Sequence, residues 1–258
     1  MGSRACGPPR LRLGGMMIPS VQRLKERLYD PAKGWRDGTS RYLSLVSRYV
    51  GKDSRVLDIG AGDGAGFAHP LRGQVKELVG LDPDEAVLTN KAVDRGIVGK
   101  AERIPLADSI FEAAVSSFAL EHIQDPAATA REVHRILRPG GVFIFRTPNL
   151  WHYVTLISRL TPQWFHRLVA NRVRDIREAV HEPYPTVYRC NTRRKIRRIF
   201  TKAGFVVEEL ETIEAEPSYL QFLRVVFLLG VAYERLANAT ELLSPFRVTI
   251  LGVLRKPK

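Results

Sequence analysis

The feature that most constrains this chain is the stretch Val56-Leu57-Asp58-Ile59-Gly60-Ala61-Gly62-Asp63-Gly64, where an apolar strand runs into a glycine-rich turn. A Cβ in such a turn would disfavour positive φ and would keep a ligand from lying against the backbone. A turn of this kind, followed by a helix, belongs at the first crossover of a parallel sheet. From Arg55 onward short apolar runs alternate with helix-like stretches, as βαβ units require. Strands are expected at Arg55–Ile59, Glu77–Leu81, Gly96–Ala101, Phe111–Ser116, Val142–Thr147, Phe205–Ile213 and Arg247–Leu254. The chain therefore reads as an α/β protein with a doubly wound, seven-stranded, mostly parallel sheet.

Between the strands, Glu85–Arg95 and Ala127–Leu137 carry apolar residues at helical spacing. The second stretch runs into Arg138-Pro139-Gly140-Gly141, a helix stop followed by a turn. Thr192–Ala203 reads as a basic helix closed by Gly204, and Val21–Leu28 and Tyr42–Val50 read as helices that could cover the ligand end of the sheet. Two stretches stand outside the alternation: Leu150–Tyr188, rich in aromatics and prolines, and Pro217–Leu243, a long apolar helix pattern. They are helical insertions after strands 5 and 6, spanning 150–190 and 214–244 with their flanks. A chain of 258 residues, 45% hydrophobic, can bury one full α/β core, so 18–258 is expected to be a single domain. Residues 1–17 hold Arg4, Arg10 and Arg12 without the apolar run of a signal peptide, and read as a flexible leader.

The two cysteines, Cys6 and Cys190, match no metal-ligand spacing and no disulfide framework, so no metal is expected and a reducing cytosol is the natural compartment. The longest apolar run, Val225–Tyr233, falls well short of the ~20 residues that span a bilayer. A net charge of +13 implies attraction to nucleic acid, anionic lipid or phosphorylated substrates without choosing among them.

Read alone, the glycine turn also satisfies the loose GxGxx(G/A) dinucleotide fingerprint, so it does not separate a dehydrogenase from a methyltransferase. Asp82, ending the second strand some ~20 residues later, stands where a carboxylate can bind ribose hydroxyls or simply cap the next helix. The later motifs discriminate. In order, VLDIGAGDG, GLDP, GKAERIPL, SSFALEHI, REVHRILRPGG and FIFRTPN resemble the class I S-adenosylmethionine-dependent methyltransferases, especially their small-molecule branch with the quinone-biosynthesis O-methyltransferases. The resemblance covers Arg55 to Asn149 well and FTKAGF, ending at Phe205, weakly.

It implies a Rossmann-like methyltransferase fold, S-adenosylmethionine as cofactor, and a cofactor site made by Asp58, Gly60, Ala61, Gly62, Asp82, Pro83, Ala101, Glu102, Ser117 and Phe118. Asp58 would hold the turn and the methionine amino group, and Asp82 the ribose. Ala101 and Glu102 would border the adenine, while Ser117 and Phe118 would flank the methionine part.

An alcohol or phenol acceptor must lose a proton, and His122 and His152 are the candidate bases near the carboxyl edge of the sheet. His122 is the first candidate, with a structural or cofactor-shielding histidine as its alternative reading, and His152 is the second. The Asn/Asp-Pro-Pro-aromatic loop of nucleobase methylation is absent after the fourth strand, where Ser116-Ser117-Phe118-Ala119 stands. The expected reaction is O-methylation of a small-molecule, quinone, sugar or lipid-linked acceptor. An RNA-directed methyltransferase and a non-catalytic cofactor-binding protein are the alternatives. The stripe Trp151 to Leu168 could be an acceptor lid or ordinary core packing. Pro217–Leu243 is more apolar than a surface helix needs, and is expected to meet an anionic membrane surface or a second copy in a dimer.

Overall fold

The structure, a computed structural model, describes residues 19–64, 70–160, 185–221 and 223–258. Its centre is a seven-stranded sheet of β1 (Arg55–Ile59), β2 (Glu77–Asp82), β3 (Arg95–Val98), β4 (Phe111–Ser117), β5 (Leu137–Pro148), β6 (Val206–Ile213) and β7 (Thr249–Arg255). The order across the sheet is β3-β2-β1-β4-β5-β7-β6. All pairings through β5 are parallel, and β7 runs antiparallel to both β5 and β6.

Alternate residues of each strand enter opposite cores, as the pleat demands. On one face Leu57, Val79, Ala114, Phe143 and Phe145 pack under α3 (Pro126–Ile136) and α5 (Arg193–Lys202), with Phe200 stacked 6.2 Å from Phe145. On the other, Val56, Leu78, Val115, Val142 and Ile144 meet Tyr42, Leu45 and Val46 of α2 (Gly38–Tyr49). Both faces are buried, which is why the parallel strands read as continuous apolar runs.

Three boundaries differ from the periodicity. The helix expected over Glu85–Arg95 is a single 3-10 segment, Glu85–Thr89, because Asn90 turns out of it to bond elsewhere. β3 accordingly starts at Arg95 and ends at Val98, where the Gly99 amide donates to Asp82 O, rather than running over Gly96–Ala101. β5 begins at Leu137, which pairs with Phe111 before the Arg138–Gly141 turn, so the strand takes the turn as an irregularity. The helix expected after the glycine turn falls partly on residues 65–69, outside the described residues, and 70–76 form turns. The leader also lies outside them.

The two insertions leave the same edge of the sheet. Pro148 at the end of β5 and Ile213 at the end of β6 both pair with Thr249 at the start of β7. The first insertion begins with α4 (Tyr153–Leu160), and its residues 161–184 lie outside the described residues. The second contributes α6 (Arg224–Ala239) and a 3-10 segment, Glu241–Phe246. Here α1 (Pro19–Leu28) packs on α6 rather than on the sheet, through Val21 and Tyr29 against Phe227 and Val231. Among the described residues no helix is long and apolar enough to cross a membrane.

Candidate active site

Strand order reverses between β1 and β4, and the crevice above such a switch point, at the carboxyl ends, is where α/β sheets bind ligands. The glycine turn follows β1 and Ser117-Phe118 close β4, so the two straddle that crevice. Gly60 takes φ +83°, and a Cβ there would lie 2.4 Å from Ala119 Cβ in the turn after β4. Gly62 takes φ +52°, and a Cβ on it would meet nothing within 4 Å. One glycine is thus required by packing, the other by backbone conformation beside an open space.

Asp82 ties the turn to β2: one carboxylate oxygen accepts from Gly62 N at 2.9 Å and the other from Asp84 N at 2.9 Å. Each oxygen keeps acceptor capacity for a further hydroxyl. Pro83 beside it is exposed. Asp58 is buried on the α2 face below the turn. Burial pushes its carboxyl up to about 7, and the Asp82 charge adds to the rise. Two adjacent buried acids at a glycine turn suit a ligand that brings hydroxyls and a cationic group. S-adenosylmethionine carries a ribose and an ammonium, so the residues present fit it.

The remaining predicted residues assemble around this centre. The Gly99–Asp82 bond brings the turn with Ala101 and Glu102 to the Asp82 edge, where Glu102 accepts from Gln124 N at 3.1 Å and holds the start of α3's approach. Phe118 has φ +56°, strained for a non-glycine residue, and its amide donates to Arg146 O. Ser117 Oγ accepts from Arg146 Nε at 2.8 Å.

Sequence reasoning missed the residues that fix these pieces. Asn90 donates to both Ala61 O (3.1 Å) and Gly62 O (3.0 Å) while accepting from Ala92 N, so one buried amide holds the glycine turn from below. Arg146 on β5 is buried, bonded to Ser117 and to Thr39 Oγ1, with its guanidinium 4.7 Å from the Phe118 ring and 5.0 Å from Tyr42. Burial lowers its pKa, opposed by the charges around it. An arginine inside an otherwise apolar strand was the legible signal for it; nothing marked Asn90.

The two histidines occupy different environments. His122 is half-buried in the 3-10 turn Leu120–His122, and its Nδ1 donates to Pro185 O at 3.2 Å. Its neighbour Glu121 is buried, accepts from Thr147 Oγ1, and is pushed up to about 7 by burial. Val187 N and Tyr188 N bond Glu121 O, and Asn191 bonds Thr147 and Pro148, so the end of the first insertion is stitched onto this turn. His152 is 2% exposed; Nδ1 accepts from Val154 N, and Nε2 lies 3.3 Å from Glu214 Oε1 without the alignment of a hydrogen bond. His152 thus faces the interior between α4 and β6.

A seven-stranded sheet with an antiparallel β7, carrying a glycine turn after β1 and a carboxylate ending β2, defines the class I methyltransferases. The sequence model of a family described as a methyltransferase domain matches residues 32–210, and the chain belongs to that family, whose cofactor is S-adenosylmethionine. The chain is 32% identical over 124 residues to a malonyl-[acyl-carrier protein] O-methyltransferase of Serratia marcescens, covering 46% of this chain and 48% of the relative. It is 36% identical over 100 residues to a ubiquinone/menaquinone biosynthesis C-methyltransferase of a Shewanella species, covering 34% and 39%. The chain spans about half the length, or less, of the curated relatives it matches. In fold it resembles the crystal structure of an S-adenosylmethionine-dependent methyltransferase from Mesorhizobium loti, with a TM-score of 0.52 at 19% identity, covering 83% of this chain and 96% of that one.

Proposed function

We propose that the chain methylates an oxygen of a small, largely apolar acceptor, of quinone, sugar or lipid-linked type, held at the carboxyl edge between the two insertions. The observation that carries this reading is an open groove of about 300 Å³ lined by Trp151, Tyr153, Leu156, Tyr233, Leu243 and Phe246. Tyr233 donates its hydroxyl to Phe246 O at 2.8 Å, so that polar group of the lining is already satisfied within the protein. The relatives' names, one for a malonyl thioester carrier and one for quinone biosynthesis, support a small organic acceptor; one is an O- and the other a C-methyltransferase.

S-adenosylmethionine, when bound, supplies an electrophilic methyl on a sulfonium. Asp82 binds hydroxyls, Asp58 faces the cationic end, and the turns after β1 and β4 hold their positions through Asn90 and Arg146. Methyl transfer is an in-line displacement, for which alignment supplies most of the rate; effective molarities reach ~10⁵ M or more. His122 holds the proton chemistry in this reading. Donation from Nδ1 to Pro185 O fixes the orientation of the ring at the end of this turn. His152, enclosed beside Glu214, supports the roof of the groove instead.

The test is incubation with S-adenosylmethionine labelled with ¹³C at the methyl and a panel of phenols, hydroquinones, sugars and RNA. An O-methyl resonance that depends on His122, with His122→Asn lowering kcat while leaving cofactor binding unchanged, is expected. A C-methyl product, or label in RNA, would overturn the acceptor reading.

A further inference from the structure

Helix α6 is built inside out for a helix at a protein surface. Its inward face carries Phe227 and Val231 against α1, Gly230 against Pro217 and Leu220, and also Glu234, the one carboxylate of the helix, which accepts from Asn238 and from Tyr29. Its outward face carries Val225, Leu228, Leu229 and Leu236 at helical spacing, with Leu229 65% exposed and no charged residue among them. The patch continues into the following 3-10 segment, where Leu242 is 82% exposed and Phe246 also faces solvent. Soluble surfaces rarely leave contiguous apolar area of this kind without a partner.

The charge beside the patch chooses the partner. Arg224 and Arg235 lie along one flank of the outward stripe, about 90° round the helix from its centre. Arg193 Nη1 donates to Ser244 Oγ, which brings the basic helix α5 to the segment bearing Leu242 and Phe246. Arg194, Arg197, Arg198 and Arg224 form no ion pair with any described residue. A second copy of this chain would bring its own +13 to the same place, whereas an anionic surface is attracted to it. Sixteen residues of helix are about 24 Å long, which suits lying in the interface rather than crossing ~30 Å of hydrocarbon.

We propose that the outward face of α6, with Leu242 and Phe246, docks the protein on an anionic lipid surface: the aliphatic side chains enter the headgroup boundary and the arginines of α5 and α6 meet lipid phosphates. This surface shares Leu236 and Phe246 with the rim of the groove, so the tests use Leu228, Leu229 and Arg224, which do not line it, and the proposal does not depend on the identity of the acceptor.

The experiment is flotation of the full chain with vesicles of phosphatidylcholine and phosphatidylglycerol, and of phosphatidylcholine alone, at low and high salt. Light scattering of the free protein runs in parallel. The protein is expected to float with the anionic vesicles only, and to lose at least about tenfold in partitioning at high salt, where screening shortens to a few ångströms. The Leu228→Glu/Leu229→Glu variant is expected to lose at least about tenfold as well, with cofactor binding unchanged as proof of folding. Arg224→Glu, which a helix start tolerates, gives a second reading if the double variant does not fold, and is expected to weaken flotation several-fold. Wild-type protein left in the soluble fraction under every condition overturns the proposal. So does flotation of the variants equal to wild type, or a dimer that the double variant dissociates while wild type fails to float, which would make the occupant a second copy.

Discussion

The glycine turn and the α6 roof stand at the same carboxyl edge of one sheet and are built from opposite materials. Around the turn, specificity comes from backbone groups and buried acids: Gly62 N on Asp82, Asn90 on two carbonyls, Phe118 N on Arg146 O. In the roof it comes from carbon surface, with α6 burying one apolar face on α1 and exposing another. A site that must recognise hydroxyls and charge is rigidly bonded, because a misplaced donor leaves a buried group unsatisfied. A surface that meets apolar material needs only shape and area.

The largest effect should come from Gly60→Ala. Positive φ and the overlap with Ala119 together are expected to cost about 2–4 kcal/mol in thermal or denaturant unfolding. Gly62→Ala sharpens the contrast within the turn itself. It should cost only about 1 kcal/mol of stability, yet weaken cofactor binding because its Cβ projects into the open space. Equal stability losses at the two glycines would erase the distinction between packing and ligand space.

Next in size is Asp82→Ala. Each charge-assisted hydrogen bond lost is worth roughly 1.5–3 kcal/mol, so titration calorimetry with S-adenosylmethionine should show affinity reduced by about tenfold to a hundredfold. An unchanged dissociation constant in a folded variant would remove Asp82 from the site.

Asp58 yields a pH dependence whose sign follows from its raised pKa. The folded chain keeps a proton that the unfolded chain releases, so this group's contribution is fully present at acidic pH and is lost as pH rises toward about 7. A cationic group bound beside Asp58 reverses the shift. Cofactor binding near neutrality should therefore release protons, and affinity should rise with pH by at most about tenfold per unit. Calorimetry in buffers of different ionisation enthalpy measures this directly, and Asp58→Asn should abolish it; proton uptake would place the cation elsewhere.

The smallest effect belongs to the roof. Leu229→Ser, on the exposed stripe, should change unfolding stability by no more than about 0.5 kcal/mol. A loss of 2 kcal/mol or more would mean the face is buried, and the comparison between bonded site and open apolar surface would fail.

The glycine turn and the carboxylate that ties it to β2 were legible because their signals are local. Strand, positive-φ glycines and strand-end carboxylate follow one another within about 25 residues, and each has a backbone reason to be where it is. Asn90 was not legible, since it fell inside the helix expected over Glu85–Arg95, and only folding brings its amide under Ala61 and Gly62. The expected helix over Glu85–Arg95 was misread for the same reason: its apolar spacing is real, but the Asn90 bonds stop the helix after Thr89.

By itself the amino-acid sequence determined the order of elements, the parallel sheet and the glycine turn with Asp58 and Asp82, because strand periodicity and φ preference act over a few neighbouring residues. Only the tertiary structure decided that Arg146 supports the β4 turn, that His152 faces inward to Glu214 while His122 sits at the edge, and that α6 exposes one of its two apolar faces. Those outcomes depend on residues far apart in the chain, Arg146 and Thr39 at 107 positions and Tyr29 and Glu234 at 205, being packed into contact. Hydropathy records that a side chain is apolar; what covers it is settled by the neighbours that folding supplies.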